Sequence, residues 1–282
     1  MVAFAAASHI IHYMAQIHAT AIVSDRAELA DDVVIGPWCI VEGSVIIGPG
    51  TRLLHRVSLR GPITIGADNH LYPNVCLGFA PQDAKFDHDH DGPGVAIGDG
   101  NLIREGVTIH RATSDQTPTT VGDENYIMAN AHIGHDVQMG SNCMLANGAL
   151  AGGHVEIADR AILGGGAAAH QFCRIGRLSM LSGLMGIVQD VPPFCTGYST
   201  RTIGSLNLIG LRRAGYQPHI ENLQLAFNLL FRAGLPNGRA IEMIAQECNG
   251  DALCREMAEF VRGTRRGITP YASHSDVRAL AE

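Results

Sequence analysis

From Val121 the chain reads VGDENY, IMANAH, IGHDVQ, MGSNCM, LANGAL, AGGHVE, IADRAI, LGGGAA, AHQFCR, IGRLSM and LSGLMG, up to Ile187. The first letter of each block is aliphatic or Met, and the phase never slips. The same six-residue phase runs upstream from Ile17 through Val23, Leu29, Ile35 and Val41 to Leu77, and again through Ile97, Ile103 and Ile109. About twenty-six positions hold one phase, which neither chance nor a 3.6-residue period would do. Three six-residue faces make a triangular coil. One aliphatic side chain per face points inward and stacks on its equivalent one coil away, at roughly 4.8 Å. About nine such coils build a prism some 40 Å long. Small residues follow many of the aliphatic ones, where the chain bends at a corner. The spacing leaves the handedness of the coil open.

The phase breaks twice. Residues 78–96 contain Pro81, Gln82, Asp83, Lys85, the run Asp87-His88-Asp89-His90-Asp91, and Gly92-Pro93-Gly94. Residues 110–120 contain Arg111, Asp115 and Pro118. Both read as loops ejected from the prism wall, where function usually sits. After Val191-Pro192-Pro193 the phase is lost, and from Pro218 to Gly263 the spacing becomes helical: Ile220, Leu223, Leu225, Ala226, Leu229 and Leu230, then Ile241 and Ile244, then Met257, Phe260 and Val261. Breakers at 234–238 and 249–251 divide it. The expected organisation is an N-terminal extension over 1–16, a parallel β-helix over 17–195 and a helical C-terminal domain over 196–282.

Composition narrows the function. Hydrophobic residues make up 46% of the 282 and charged residues 17%, which suits a soluble protein with a large interior. The net charge of -7 argues against a nucleic-acid surface. Arginines are concentrated after Arg201, where an acidic partner or plain solvent are the two readings. The seven cysteines are odd in number and lack a CxxC pair, so reduced, mostly buried thiols are expected. No apolar run reaches the roughly 18 residues of a membrane span. Met1 to Gln16 is apolar but carries no Lys or Arg, unlike a signal peptide; it is either a true extension or precedes a start at Met14. The expected location is cytoplasmic.

Several histidines lie between the second loop and the end of the prism: His110, His132, His135, His154 and His170. In the string Asn130-Ala131-His132-Ile133-Gly134-His135-Asp136, Ile133 is the inward residue, so His132 and His135 lie on or near the outer wall. Each alone reads equally as a surface or subunit-contact histidine. Lys85 is the only lysine among twenty basic residues and sits in the first loop.

The chain resembles the bacterial UDP-N-acetylglucosamine O-acyltransferases of lipid A synthesis. The resemblance runs from about Ile17 to the C-terminus. It rests on the segment around Gln82, Asp83 and Lys85, IGDGNLIREGVTIHR at 97–111, NAHIGHD at 130–136, AGGHV around His154, AHQF at His170, VQDVPPF at 188–194 and LRRAGY at 211–216. It implies a left-handed β-helix, a homotrimer with sites between subunits, and transfer of a 3-hydroxyacyl chain from acyl carrier protein to the sugar 3-hydroxyl. It implies no cofactor, because the acyl-phosphopantetheine arrives on the donor protein. By the same resemblance His135 is the general base, Asp136 orients it, and the Gly153 N–H is the oxyanion donor. Gln82, Asp83, Lys85, His132, His154, His170, Gln171 and Arg213 are expected substrate contacts, and Gly183 is expected to set acyl length, a glycine there leaving room for a longer chain. The chain departs from the family's pattern at 197–200, at 147–153 and in the acidic run 87–91, which leaves the exact donor and acceptor open. A hexapeptide N-acyltransferase acting on an amino sugar and a non-catalytic sugar-nucleotide binder are the alternatives. A zinc enzyme of this fold is disfavoured, because its close histidine pair is typically five apart whereas His132 and His135 are three apart.

Overall fold

The computed structural model describes residues 14–198 and 201–272. The residues before 14, with most of the expected extension, lie outside the described residues, as do Ser199 and Thr200 of the divergent 197–200 segment. The first strand, Gln16–Ile17, already belongs to the coil.

Short strands of two to five residues stack into three sheets, one for each wall of a left-handed parallel β-helix. The first sheet runs from Gln16–Ile17 to Met180–Leu181 and on through Cys195–Tyr198 to Thr202–Leu206, eleven strands in all. The second has nine strands, from Ile22–Val23 to Gly186–Ile187, and the third has eight, from Glu28–Leu29 to Arg174–Ile175. Every pairing between successive coils is parallel. Only the last pair of the first sheet, Cys195–Tyr198 with Thr202–Leu206, turns antiparallel. The coil therefore continues past residue 195 as a β-hairpin, and helix begins at Leu208. The strands pair at a spacing of 18 residues where no loop intervenes, as in His132 with Leu150.

The inward column expected at every sixth residue is buried from Ile35 to Ile187, at 0 to 4% exposure, whereas its first members, on the end turns, are not: Ile17 is 47% exposed and Val23 and Leu29 are partly buried. The structure adds a second inward column two residues earlier, including Val57, Val75, Val107, Ala131, Val137, Ala149, Val155 and Ala167, all buried. Each wall thus buries two side chains per six, with smaller residues in the added column toward the C-terminal end. Burying both columns supplies the main stabilisation, at about 25 cal/mol per Å² of apolar surface removed from water. One stretch of the second column is polar: Asn69, Asn101 and Asn125 stack on one another. Asn69 Oδ1 accepts from the Asn101 N–H and side-chain amide at 3.0 and 2.9 Å, and Asn101 Oδ1 accepts from the Asn125 N–H at 2.9 Å. The corners turn through left-handed backbone, held by large residues such as Trp38, Arg56, Leu178 and Leu184 as well as by glycine; this conformation belongs to the coil and not to the site alone.

Four helices close the C-terminal end: α1 (Leu208–Arg213), α2 (Ile220–Phe231), α3 (Asn237–Glu247) and α4 (Ala252–Arg262). Asp251, at the predicted breaker, caps α4 by accepting from the Leu253 N–H at 2.9 Å. Of the helical residues expected to be buried, Leu223, Ala226, Leu229, Leu230, Ile241, Ile244, Met257 and Val261 are so, whereas Ile220, Leu225 and Phe260 are partly buried; the Phe260 ring lies under the Arg174 guanidinium at 4.1 Å. Arg177 at the end of the prism donates twice to the Glu256 carboxylate of α4, at 3.0 and 2.6 Å, and ties the helices down.

Candidate active site

Both ejected loops leave the prism at one corner. The first follows the second-sheet strand Cys76–Phe79 and rejoins the third sheet at Val95–Ile97; the second follows Thr108–His110 and rejoins at Thr119–Val121. On the next coils the same corner carries Gly134-His135-Asp136, Gly152-Gly153-His154 and His170-Gln171-Phe172. An 18-residue coil stacks 135 over 153 and 171, and 136 over 154 and 172. One edge of the prism thus gathers the loops and the histidine motifs.

Asp136 is the centre of the cluster. It is 7% exposed, in left-handed backbone at φ 59°. Its Oδ2 accepts from the Thr113 N–H at 3.0 Å, the Thr113 hydroxyl at 2.6 Å and His135 Nδ1 at 2.7 Å; its Oδ1 accepts from the Ser114 N–H at 3.0 Å. Its own N–H donates to Thr119 Oγ1 at 2.8 Å. Burial alone pushes the carboxyl pKa up, but the bonds from His135, Thr113 and Ser114 outweigh it and hold the group well below the usual carboxylate range. An ionised Asp136 accepts, so the His135 proton sits on Nδ1 and the lone pair is left on Nε2. Gly153 borders that nitrogen: a Cβ built on it would lie 2.5 Å from both Cε1 and Nε2 of His135. The Gly153 N–H has no acceptor among the described residues.

His110 and His132 pair with each other, and His154 pairs with His135. His132 projects from strand His132–Ile133, its Nδ1 2.7 Å from Thr108 Oγ1, and its ring meets that of His110 edge-on at 5.1 Å. Burial lowers the pKa of both; for His110, with His132 and His135 adding to the effect, the value falls to about 4. His154 lies edge-on to His135 at 5.1 Å and flat against Phe172 at 4.6 Å. Its Nε2 is 3.6 Å from Asp136 Oδ2. Burial moves its pKa down against the pull of Asp136.

The structure brings His132, His135, Asp136, Gly153 and His154 together. Gln82, Asp83 and Lys85 stand exposed in the first loop, where Asp83 folds the segment by accepting from the Lys85 N–H at 2.9 Å. His170 and Gln171 lie exposed two coils beyond His135 on the same edge. Gly183 is elsewhere, at the corner between the first and second sheets, and Arg213 ends α1. The acidic run packs down through His90, whose Nε2 is 2.8 Å from Asp115 of the second loop. Sequence reasoning missed Thr113, Ser114 and Thr119, which hold Asp136, and Phe172, which stacks on His154. The 18-residue coil was the available signal for Phe172; for the loop residues there was none. His135, Asp136 and His154 offer ligand atoms within 4.8 Å of one another, near enough to hold a cation. The oxygen they would share already accepts from Thr113 twice and from His135, so hydrogen bonds satisfy it.

The C-terminal segment over residues 190–269 matches the profile of UDP N-acetylglucosamine O-acyltransferase, domain 2, and residues 118–153 match the bacterial transferase hexapeptide profile. The chain is 42% identical over 258 residues to an acyl-[acyl-carrier-protein]–UDP-N-acetylglucosamine O-acyltransferase from Thermodesulfovibrio yellowstonii, covering 90% of this chain and 99% of the relative. A similar protein from Syntrophobacter fumaroxidans, named for the same activity, is 44% identical over 90% of this chain and 99% of its own. Among solved structures, the UDP-N-acetylglucosamine acyltransferase of Francisella novicida superposes with a TM-score of 0.86 at 34% identity, covering 90% of this chain and 94% of that one.

Proposed function

The chain belongs to the acyl-[acyl-carrier-protein]–UDP-N-acetylglucosamine O-acyltransferase family, and on that premise we propose that His135, backed by Asp136, is the general base that activates the sugar 3-hydroxyl of UDP-N-acetylglucosamine. The enzyme transfers a 3-hydroxyacyl chain from acyl carrier protein to that hydroxyl. The observation that carries the assignment is that, among the described residues, Nε2 of His135 has no hydrogen-bond partner, while its ring is fixed by a buried, ionised Asp136 and bordered by Gly153, whose N–H has no acceptor there.

The chemistry follows from those groups. A sugar alcohol is a poor nucleophile near neutrality. As its oxygen attacks the thioester carbonyl, Nε2 takes the hydroxyl proton, and the imidazolium that forms is stabilised by Asp136. The carbonyl oxygen becomes an oxyanion, for which the Gly153 N–H is the donor. Collapse of the tetrahedral intermediate breaks the carbon–sulfur bond. The imidazolium returns its proton to the leaving thiolate, and both ester and thiol depart neutral. Lys85, Gln82 and Asp83 in the first loop, with His132, His154, His170, Gln171 and Arg213, are the proposed contacts to the two substrates; the Arg213 fork suits a phosphate.

A homotrimer completes the site in this proposal. The outward residues of the first sheet include Leu102, Tyr126, Met144, Ile162 and Met180, and Leu150 on the second is 44% exposed, whereas the third sheet shows Thr120, Gln138, Glu156 and Arg174. Packing the first wall of one prism on the second wall of the next covers the apolar residues and leaves His132 and His135 at the edge of a groove. Gly183 falls along that groove, one coil from Gly165; a Cβ on it would meet only the Gly165 backbone, at 3.3 and 4.0 Å. This bare track supports acceptance of a long acyl chain, and donors of graded length test it; a preference for short chains refutes it. Sedimentation equilibrium tests the trimer. We place the reaction in the cytoplasm: the seven thiols are free and six of them buried. No helix among the described residues is long and apolar enough to cross a membrane.

The decisive experiment is turnover of UDP-N-acetylglucosamine with hydroxyacyl carrier protein, compared with His135→Ala. The variant is expected to lose at least about 100-fold in kcat; near-wild-type turnover would remove His135 from the mechanism.

A further inference from the structure

The first loop carries the single lysine of the chain, and of its own side chains Asp83 and Asp87 bond only within the loop while His90 reaches Asp115. The loop's anchor comes from the prism wall. Arg111, at the root of the second loop, is 1% exposed. Its Nη2 donates to the His88 carbonyl at 2.8 Å, its Nε to the His90 carbonyl at 3.1 Å, and its Nη1 to the Gly78 carbonyl at 3.2 Å. The guanidinium also faces the Phe86 ring at 5.7 Å. Among the described residues it makes no ion pair within 4 Å. A buried cation is costly unless its donors are met, and here backbone carbonyls meet them. Gly78 lies at one end of the loop and His88 and His90 beyond its middle, so one planar fork spans the loop from root to far side. Lysine, with its donors on one nitrogen, lacks that geometry. The His90 ring adds a contact of its own, its Nε2 lying 2.8 Å from Asp115 of the second loop. Two residues past Arg111 begin Thr113 and Ser114, which hold Asp136.

We propose that Arg111 is a positioning residue: its guanidinium clamps the loop of Gln82, Asp83 and Lys85 over the His135–Asp136 corner and so sets the affinity for the sugar nucleotide. The proposal rests on the acceptor-contact role given to that loop above. Arg111 itself does not touch the reacting atoms.

The lone lysine makes the loop readable without an activity assay. A lysine-specific endoprotease has one site in the chain, at Lys85. Arg111→Met keeps the buried stem and removes the fork. With native circular dichroism retained, cleavage after Lys85 is expected to accelerate at least tenfold. The KM for UDP-N-acetylglucosamine is expected to rise at least tenfold, with kcat within threefold of the parent and the pH profile of kcat unmoved. Saturating UDP-N-acetylglucosamine is expected to slow the cleavage of the parent enzyme. Arg111→Lys is the second variant, with cleavage at 85 told from cleavage at 111 by fragment mass; it is expected to fall between parent and Met. Cleavage within twofold of the parent, or faster cleavage with an unchanged KM, overturns the proposal. So does failure of both variants to fold, which makes Arg111 a folding residue. The acceptor role of the loop is tested apart from the clamp: no protection of the parent's Lys85 by the sugar nucleotide removes that role, whatever Arg111 does.

Discussion

Replacing Gly153 by alanine puts a methyl group where the His135 ring lies. The added Cβ would stand 2.5 Å from Cε1 and Nε2 and 3.1 Å from Cδ2 of that ring. Non-bonded carbon and nitrogen atoms rest at roughly 3.5 Å or more, so the ring must retreat by about 1 Å. It cannot retreat freely, because Nδ1 is held by Asp136, which is itself held by Thr113 and Ser114. A misplacement of that size is worth about 100-fold in rate, or about 2.7 kcal/mol in the barrier. The backbone at 153 is not among the left-handed corners, so alanine fits there without strain. A gain of roughly 0.4–1 kcal/mol from the stiffer unfolded chain offsets part of the crowding. The expected result for Gly153→Ala is therefore a kcat about 100-fold lower with saturating donor and acceptor, and a Tm within a few degrees of the parent. The N–H at 153 is retained, so the loss reports the ring and not the oxyanion donor. A variant within about threefold of the parent in kcat would show that His135 is not held in this geometry during turnover.

Asp136→Asn should lower kcat by about 10²–10⁴-fold, because an amide neither fixes the Nδ1 proton nor stabilises the imidazolium; steady-state kinetics within tenfold of the parent would contradict the dyad. His110 is held neutral to about pH 4, while in the unfolded chain it takes a proton below about pH 6.5. Acid therefore favours unfolding, and stability on the order of 3 kcal/mol is lost as pH falls from 6.5 to 4. His110→Gln is expected to flatten that part of a Tm-against-pH curve; an unchanged slope counts against a buried neutral ring. Glu256→Gln removes the charge and turns one of the two acceptors for Arg177 into a donor, and an effect of about 1–2 kcal/mol should lower Tm by a few degrees with kcat unaffected. Equal Tm values by calorimetry would show that the helices need no such tie.

The six-residue phase determined the coil, its length and the position of both loops, because an apolar residue at every sixth position is buried only when successive turns stack on one another, although the phase leaves the hand of the coil open. It did not disclose the second buried column, which mixes Val with Ala, Cys, Thr and Asn and so has no uniform apolar signature. It reached His132, His135 and Asp136 as a motif, and the 18-residue coil places His154 and Phe172 on their edge. Helical spacing located α2, α3 and α4, but the hairpin over 195–206 was read as part of the helical region, since two short strands carry too little alternation to announce themselves. What only the tertiary structure decided is how Asp136 is held and how the first loop is anchored. Thr113 and Ser114 hold Asp136 by their backbone N–H groups and the Thr113 hydroxyl, and Arg111 holds backbone carbonyls of the first loop, all in segments that have left the repeat. Ejected loops follow no period, and the partners of a backbone carbonyl leave no trace in residue type. The repeat thus specified the scaffold by packing, whereas the site's electrostatics came from contacts that exist only once the loops have folded back on it.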